Sequence, residues 1–86
     1  MNTEPRDIRL KRLLMRSMRR GIKEMDLILS AYSEYHLAQM SGAQLDCYED
    51  LLSENDQDLL SWVTGQVPAP ERFAVMVNEI SQTFQK

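Results

Sequence analysis

The fold is decided by residues 70–84, PERFAVMVNEISQTF, where large apolar side chains recur at the spacing of a helix. The apolar positions of this stripe are Phe73, Met76, Val77, Ile80 and Phe84. Side chains spaced in this way lie on one face of an α-helix, whereas a half-buried strand alternates with a period of two. Pro70 suits the first helical position, because the N–H that it lacks would have no partner there. The pattern predicts a helix that starts at Pro70 and buries one face.

The sequence before this stretch predicts four more short helices. Three of them are expected at residues 6–18, 22–40 and 43–52. Ser41 is the expected N-cap of the third, and a fourth is expected between an N-cap at Ser53 and a stop at Gly65. We therefore predict an all-α fold, a bundle of about five short helices. Residues 1–86 are expected to form a single domain in which residues 1–5 are disordered.

The last three helices are expected to supply much of the hydrophobic core. The side chains predicted to be buried are Leu51, Leu59, Trp62, Phe73, Met76, Ile80 and Phe84. The chain has 86 residues, of which 43 % are hydrophobic and 27 % charged. This composition is typical of a globular domain, and the length allows only one core.

The nucleophilic and metal-ligating side chains do not form a catalytic pattern. His36 is the single histidine and Cys47 the single cysteine, whereas a zinc site needs three or four such ligands. A nucleophilic pair of Cys47 and His36 would still lack an orienting third group. The three glycines do not form a phosphate-binding loop. We therefore predict a protein that is not an enzyme and has no catalytic residues and no metal site.

The sequence carries no membrane or secretion signal. No apolar run approaches the about 20 residues that a membrane-spanning helix needs. Residues 1–6 do not resemble the start of a signal peptide. The lone cysteine fits a reducing compartment, because it has no internal partner for a disulfide. We expect a cytoplasmic protein that does not bind membranes and is a monomer when free.

Basic residues are concentrated at the start of the chain. Residues 1–23 hold eight lysines and arginines against two acids, a net charge of +6, whereas residues 24–86 have a net charge of −9. This division predicts a basic docking surface for an anionic partner, or else a solvated basic helix beside an acidic one. A small antitoxin-like regulator could use the basic helix against DNA. The sequence pI of about 5.0 argues against nucleic acid as the partner.

A charged cluster surrounds the glycine that separates the first two predicted helices. Arg20, Gly21 and Glu24 lie in the run RGIKE, with the two charged residues four positions apart. One interpretation is an exposed ion pair along a helix, although an arginine that precedes the glutamate is the less favourable order. The other is a partner-binding site, where Gly21 permits close approach and the charged side chains make directional contacts.

Arg20-Gly21-x-x-Glu24 resembles the RGxxE signature of the succinate dehydrogenase assembly factor 2 family. Further resemblances are Arg12-Leu13-Leu14, His36-Leu37, the spacing of Tyr48, Leu51, Leu52 and Trp62, and Pro68-Ala69-Pro70-Glu71 with Phe73. Together they cover residues 12–84. Because residues 1–6 do not resemble a transit peptide, the chain is similar to a bacterial member of the family.

The resemblance implies an assembly factor, not an enzyme. Members bind the flavoprotein subunit of succinate dehydrogenase or fumarate reductase and promote covalent attachment of FAD to it. The family resemblance implies no stable binding of FAD by the factor itself. Arg20, Gly21 and Glu24 would lie at the interface with the flavoprotein. Residues implied as further interface contacts are Arg12, Arg16 and Asp26.

Overall fold

Five α-helices account for most of residues 4–84, the part of the chain that this computed structural model describes. Their bounds are α1 Arg6–Arg16, α2 Lys23–His36, α3 Gly42–Leu52, α4 Asp56–Val63 and α5 Ala74–Phe84. Short 3₁₀ turns occupy Leu37–Gln39 and Glu71–Phe73. No strand occurs in residues 4–84, so the prediction of an all-α bundle of about five helices is confirmed. None of the helices in this range is long and apolar enough to cross a membrane.

Several of the predicted helix boundaries differ from the structure. The first helix was expected to reach residue 18, but α1 ends at Arg16. The second helix was expected to reach residue 40, but α2 ends at His36 and the 3₁₀ turn follows it. The last helix was expected to start at Pro70, but Pro70 caps a 3₁₀ turn and α5 starts at Ala74. Of the segment predicted to be disordered, residues 1–3 lie outside the described residues, while Glu4 accepts hydrogen bonds from Arg12.

The N-terminus of α3 is capped as predicted, whereas that of α4 is not. Ser41 Oγ accepts a hydrogen bond from the Gln44 N–H at 3.2 Å, and the Gln44 side chain accepts one from the Ser41 N–H at 2.8 Å. The predicted cap by Ser53 is wrong, because Asn55 caps α4 and accepts a hydrogen bond from the Gln57 N–H at 2.8 Å. Ser53 continues the last turn of α3 with φ −84° and ψ −8°, so it lacks the extended backbone of an N-cap.

The core lies where α2 packs against α4 and α5, and all five helices contribute side chains to it. The predicted core residues that are buried are Leu51, Leu59, Phe73, Met76 and Ile80. Trp62 is half-buried, with its ring centroid 6.0 Å from that of Phe73. The prediction for Phe84 is wrong, since its side chain is 50 % exposed. Phe84 lies in the last turn of α5, where it borders on a surface groove with α2.

A buried hydrogen bond fixes the end of α1 to α3. The Tyr48 and Ser17 hydroxyl oxygens are 2.6 Å apart, and the Ser17 hydroxyl also lies 2.8 Å from the Leu13 carbonyl oxygen. Ser17 has one proton, which it donates to Leu13, so Tyr48 is the donor to Ser17. Burial raises the pKa of Tyr48 to about 12, which keeps this donor protonated. The bond therefore fixes Ser17, the residue that follows α1, to α3.

Gly65→Ala is expected to lower the free energy of unfolding by about 1–2 kcal/mol. Gly65 ends α4 with φ +81°, a left-handed conformation that alanine resists. The conformation is held by hydrogen bonds from the Gln66 N–H to the Ser61 carbonyl at 2.9 Å and from the Gly65 N–H to the Trp62 carbonyl at 3.2 Å. Urea denaturation of the variant measures the loss.

Gly42→Ala is the matched control for this substitution. Gly42 lies in α3, and a Cβ there meets nothing within 4 Å. Alanine at a compatible helical position raises stability by about 0.4–1 kcal/mol. Equal unfolding midpoints for the two variants would contradict the assigned role of Gly65.

Candidate functional site

The loop between α1 and α2 places the predicted signature residues at the protein surface. The left-handed residue of this loop is Arg19, with φ 56°. Its N–H donates a hydrogen bond to Asp26 Oδ1 at 3.0 Å. Gly21 is exposed and does not have a positive φ. A Cβ at Gly21 would lie 3.4 Å from Asp56 Oδ2. The prediction that Gly21 permits close approach of a partner stays a prediction.

Arg20 is turned towards α4 and does not pair with Glu24. Its Nε and Nη2 donate to Asp56 Oδ1 at 2.9 and 2.6 Å. The guanidinium also donates to the Arg16 carbonyl at 2.9 Å and to the Leu52 carbonyl at 3.2 Å. The Gly21 N–H donates to Asp56 Oδ2 at 2.9 Å. Asp56 therefore binds both the side chain and the backbone of the signature, and the interpretation as an Arg20–Glu24 ion pair is wrong.

Asp56 is the site residue that the sequence did not reveal. It lies in the first turn of α4, where a carboxylate also interacts favourably with the positive end of the helix dipole. The Arg20 and Asp56 side chains are only 12 % and 16 % exposed, so each depends on the other for a charge partner. No local pattern connects the two residues, because they are 36 positions apart.

Glu24 is the signature side chain that points outwards. It is exposed in the first turn of α2 and makes no ion pair within residues 4–84. It borders the groove that Leu27 and Phe84 line. Asp26 is turned back, since it accepts hydrogen bonds from the Arg19 N–H and from the Ser30 hydroxyl at 3.3 Å. A partner would meet Glu24 and Gly21 first.

Two of the five basic residues of α1, Arg9 and Arg12, form close ion pairs with acids of the same chain. Arg9 Nη2 lies 2.6 Å from Asp46 Oδ1 and 3.0 Å from Glu49 Oε1. Arg12 contacts Glu4 and Glu49, each at 2.9 Å. These contacts join the basic start of the chain to α3. Part of the basic charge at the start of the chain is therefore used in ion pairs that stabilise the fold. Only the remaining basic side chains are available for a docking surface.

The other basic side chains of residues 1–23 divide into two groups. Arg6 donates to the carbonyl oxygens of Ala38 and Met40 at 3.1 and 2.7 Å. Arg16 donates to the Ser53 hydroxyl at 3.2 Å. The side chains that are exposed and make neither an ion pair nor a hydrogen bond within the described residues are Lys11, Arg19 and Lys23. The predicted interface roles of Arg12, Arg16 and Asp26 stay predictions, and each of these side chains has a partner within the fold.

Glu49→Gln is expected to lower stability at neutral pH and to change it little in acid, at a pH below the folded-state pKa of Glu49. Hydrogen bonds from Arg12, followed by those from Arg9, hold the pKa of Glu49 below its ordinary value of 4.5. A carboxyl group with a lowered pKa stabilises the fold above its unfolded-state pKa, and this contribution disappears as pH falls through the folded-state pKa. Urea denaturation at both pH values measures the effect.

Glu34→Gln is the control, since Glu34 is exposed and makes no ion pair within residues 4–84. Its unfolding midpoint should follow that of the unmodified protein at both pH values. A loss for Glu49→Gln that is as large at low pH as at neutral pH would exclude the charge of Glu49 as the cause.

His36 and Cys47 have separate structural surroundings. The His36 ring stacks on Tyr32 with centroids 4.5 Å apart, and its Nε2 lies 3.5 Å from the Thr83 hydroxyl. Cys47 Sγ contacts the Arg72 carbonyl at 3.6 Å. Burial raises the pKa of the Cys47 thiol, whereas reactive cysteines have a lowered pKa. The structure thus gives Cys47 the surroundings of an unreactive side chain.

Comparison with known proteins finds similarity over most of the chain. A family model described as "Flavinator of succinate dehydrogenase" matches residues 11–84. A protein of Meyerozyma guilliermondii named "Succinate dehydrogenase assembly factor 2, mitochondrial" is 40 % identical over 96 % of this chain and 62 % of its own length. The protein of the same name from Danio rerio is 38 % identical over 96 % of this chain and 54 % of its own length. The chain spans about half the length of the curated relatives that it matches.

These relatives overturn the predicted location. Their names place them in mitochondria, and the prediction of a cytoplasmic protein is therefore wrong. That prediction rested on the composition of residues 1–6, which does not report where a folded bundle acts. The prediction of a bacterial source is not confirmed, because the relatives named here are eukaryotic proteins.

Proposed function

This chain belongs to the flavinator of succinate dehydrogenase family, and from that premise we propose that it is an assembly factor for a flavoprotein. It binds the flavoprotein subunit of succinate dehydrogenase, or of fumarate reductase, and promotes covalent attachment of FAD to that subunit. The family match supports this function, because it includes the second half of α1 and the whole of α2 to α5. The resemblance of Arg20-Gly21-x-x-Glu24 to the family signature agrees with the match.

The observation that carries the proposal is the way in which the signature loop is held. Asp56 fixes Arg20 and Gly21 from the inside, while Glu24 and the open face of Gly21 remain exposed. A fixed loop beside an unpaired carboxylate favours binding to a protein surface, because the loop loses little conformational entropy when the complex forms. The chain would act by holding the flavoprotein in the geometry that favours its reaction with FAD.

FAD is the cofactor of the partner in this proposal. The chain has three glycines and no glycine-rich loop for dinucleotide phosphates. It contributes contacts to the flavoprotein and no catalytic side chain. We also propose that the free chain is a monomer and binds neither membranes nor nucleic acid. A DNA-binding regulator was considered because α1 is basic. Arg9 and Arg12 of α1 already form ion pairs with Asp46, Glu49 and Glu4, which argues against binding of DNA phosphates by these two side chains.

Complementation tests the proposed function. The chain is expressed in cells that lack their own factor and produce a flavoprotein subunit of succinate dehydrogenase or fumarate reductase. In-gel fluorescence of the covalent flavin should return, and the flavoprotein subunit should co-purify with the tagged chain. A chain that is present and folded but restores no fluorescence and captures no flavoprotein would overturn the proposal.

A further inference from the structure

A groove between α2 and the end of α5 contains the exposed signature carboxylate. Glu24, Leu27 and Ala31 lie on one face of α2, at spacings of three and four positions, and Phe84 faces them from α5. Leu27 is 64 % exposed and Phe84 is 50 % exposed. Isolated exposed apolar side chains are common on proteins, but a group that meets in one concavity indicates a binding surface.

The chemistry of this groove is apolar with one charge at its edge. Its walls are the carbon atoms of Leu27, Ile28, Ala31 and Phe84. The Thr83 hydroxyl is already engaged, because it donates to the Glu79 carbonyl at 3.1 Å. Glu24 is left as the polar group of the groove that can meet a ligand. An occupant therefore has to combine an apolar body with a nearby cation.

The volume of the groove, about 230 Å³, limits the size of the occupant. Sites for drug-sized ligands and cofactors span about 300–1,000 Å³, so a dinucleotide such as FAD is too large for this groove. A cavity of about 150 Å³ holds a benzene molecule. One large apolar or aromatic side chain of a partner protein fits between these limits.

We infer that this groove receives a large apolar side chain of the flavoprotein subunit, next to a lysine or arginine that pairs with Glu24. The inference rests on the proposed function and specifies what the partner presents to the signature. Continuity supports this occupant, because Glu24 belongs both to the signature and to the wall of the groove. Charge complementarity supports the cation, because Glu24 makes no ion pair within residues 4–84.

Leu27→Ser tests the apolar contact, with Val75→Ser as its matched control. Both positions are exposed helical sites, and Val75 is 77 % exposed and lies outside this groove. The dissociation constant of each full-length variant is measured against the purified flavoprotein subunit loaded with FAD. Leu27→Ser should weaken binding by about tenfold or more, as expected for a large apolar side chain that is buried on binding. Val75→Ser should bind like the unmodified chain, and all three proteins should unfold at the same midpoint.

Glu24→Gln tests the charged contact in the same assay. The unmodified chain should bind more weakly as salt concentration rises. Glu24→Gln should bind more weakly than the unmodified chain at low salt, and its affinity should depend less on salt concentration.

Unchanged affinity in Leu27→Ser, with tight binding by the unmodified chain, would overturn the groove inference and leave the proposed function intact. Absence of binding by the unmodified chain would overturn the proposed function itself. A concentration-dependent dimer in analytical ultracentrifugation that Leu27→Ser dissociates would assign the groove to a second copy and overturn the inference.

Discussion

Glu24→Ala is expected to abolish covalent attachment of FAD to the flavoprotein subunit while the bundle remains folded. Glu24 is exposed and makes no ion pair within residues 4–84, so the free energy of unfolding should change by no more than about 0.5 kcal/mol. The partner, however, loses the one outward charge of the signature. In-gel flavin fluorescence measures the attachment in cells that lack their own factor, and circular dichroism measures the fold.

Glu34→Ala is the matched control, because Glu34 is another exposed glutamate of α2. It should restore flavin fluorescence as the unmodified chain does. Full restoration of flavin fluorescence by Glu24→Ala would show that Glu24 is an exposed acid without a role in partner binding. Family membership would then be the only remaining support for the function.

Arg20→Ala is a less direct probe of partner binding than Glu24→Ala. Its removal leaves Asp56, which is 16 % exposed, without its charge partner. It also frees the Arg16 and Leu52 carbonyls. A loss of flavin attachment in this variant is expected together with a loss of stability, so it would not separate binding from folding.

Phe73→Ala is expected to lower the free energy of unfolding by about 3–5 kcal/mol. Phe73 is 1 % exposed. Its ring packs beside Trp62 at 6.0 Å and below the Arg72 guanidinium at 4.3 Å. A protein of 86 residues is stable by roughly 4–13 kcal/mol in total. The variant should therefore lose a large part of its stability, as chemical denaturation would show.

Val75→Ala separates the loss of core packing from a general effect on α5. Val75 follows Phe73 by two positions and is 77 % exposed, so its substitution should change stability by no more than about 0.5 kcal/mol. A denaturation midpoint for Phe73→Ala equal to that of Val75→Ala would show that the packing of Phe73 against Trp62 of α4 is misplaced.

Local patterns of the sequence predict the helices and much of the core. The spacing of Phe73, Met76 and Ile80 is a property of one segment, and all three are buried. Ser41 is likewise found as a cap with its partner Gln44 three positions away. These features depend on neighbours in sequence, which periodicity and capping rules describe.

The features that escaped prediction depend on distant parts of the chain. Asp56 binds Arg20 and Gly21 across more than thirty positions, and no local pattern marks that contact. The charge division of the sequence was interpreted either as a docking surface for an anionic partner or as a solvated basic helix beside an acidic one. Much of it is satisfied internally, because Arg9 and Arg12 pair with Glu49 on α3. Phe84 follows the apolar period of α5 but lies beyond the end of the core.

The hydrogen bonds from Arg20 and Gly21 to Asp56 also bear on the kinetics of association. Fixing the backbone of a flexible loop costs about 1–2 kcal/mol per residue in conformational entropy. Because Asp56 fixes the loop when the chain folds, this conformational entropy is lost during folding and is not lost again when a partner binds. The association rate constant should then lie near about 10⁵–10⁷ M⁻¹s⁻¹, the range set by the orientation of two preformed surfaces. In Asp56→Ala the loop would first have to reach its bound shape, and association would slow accordingly.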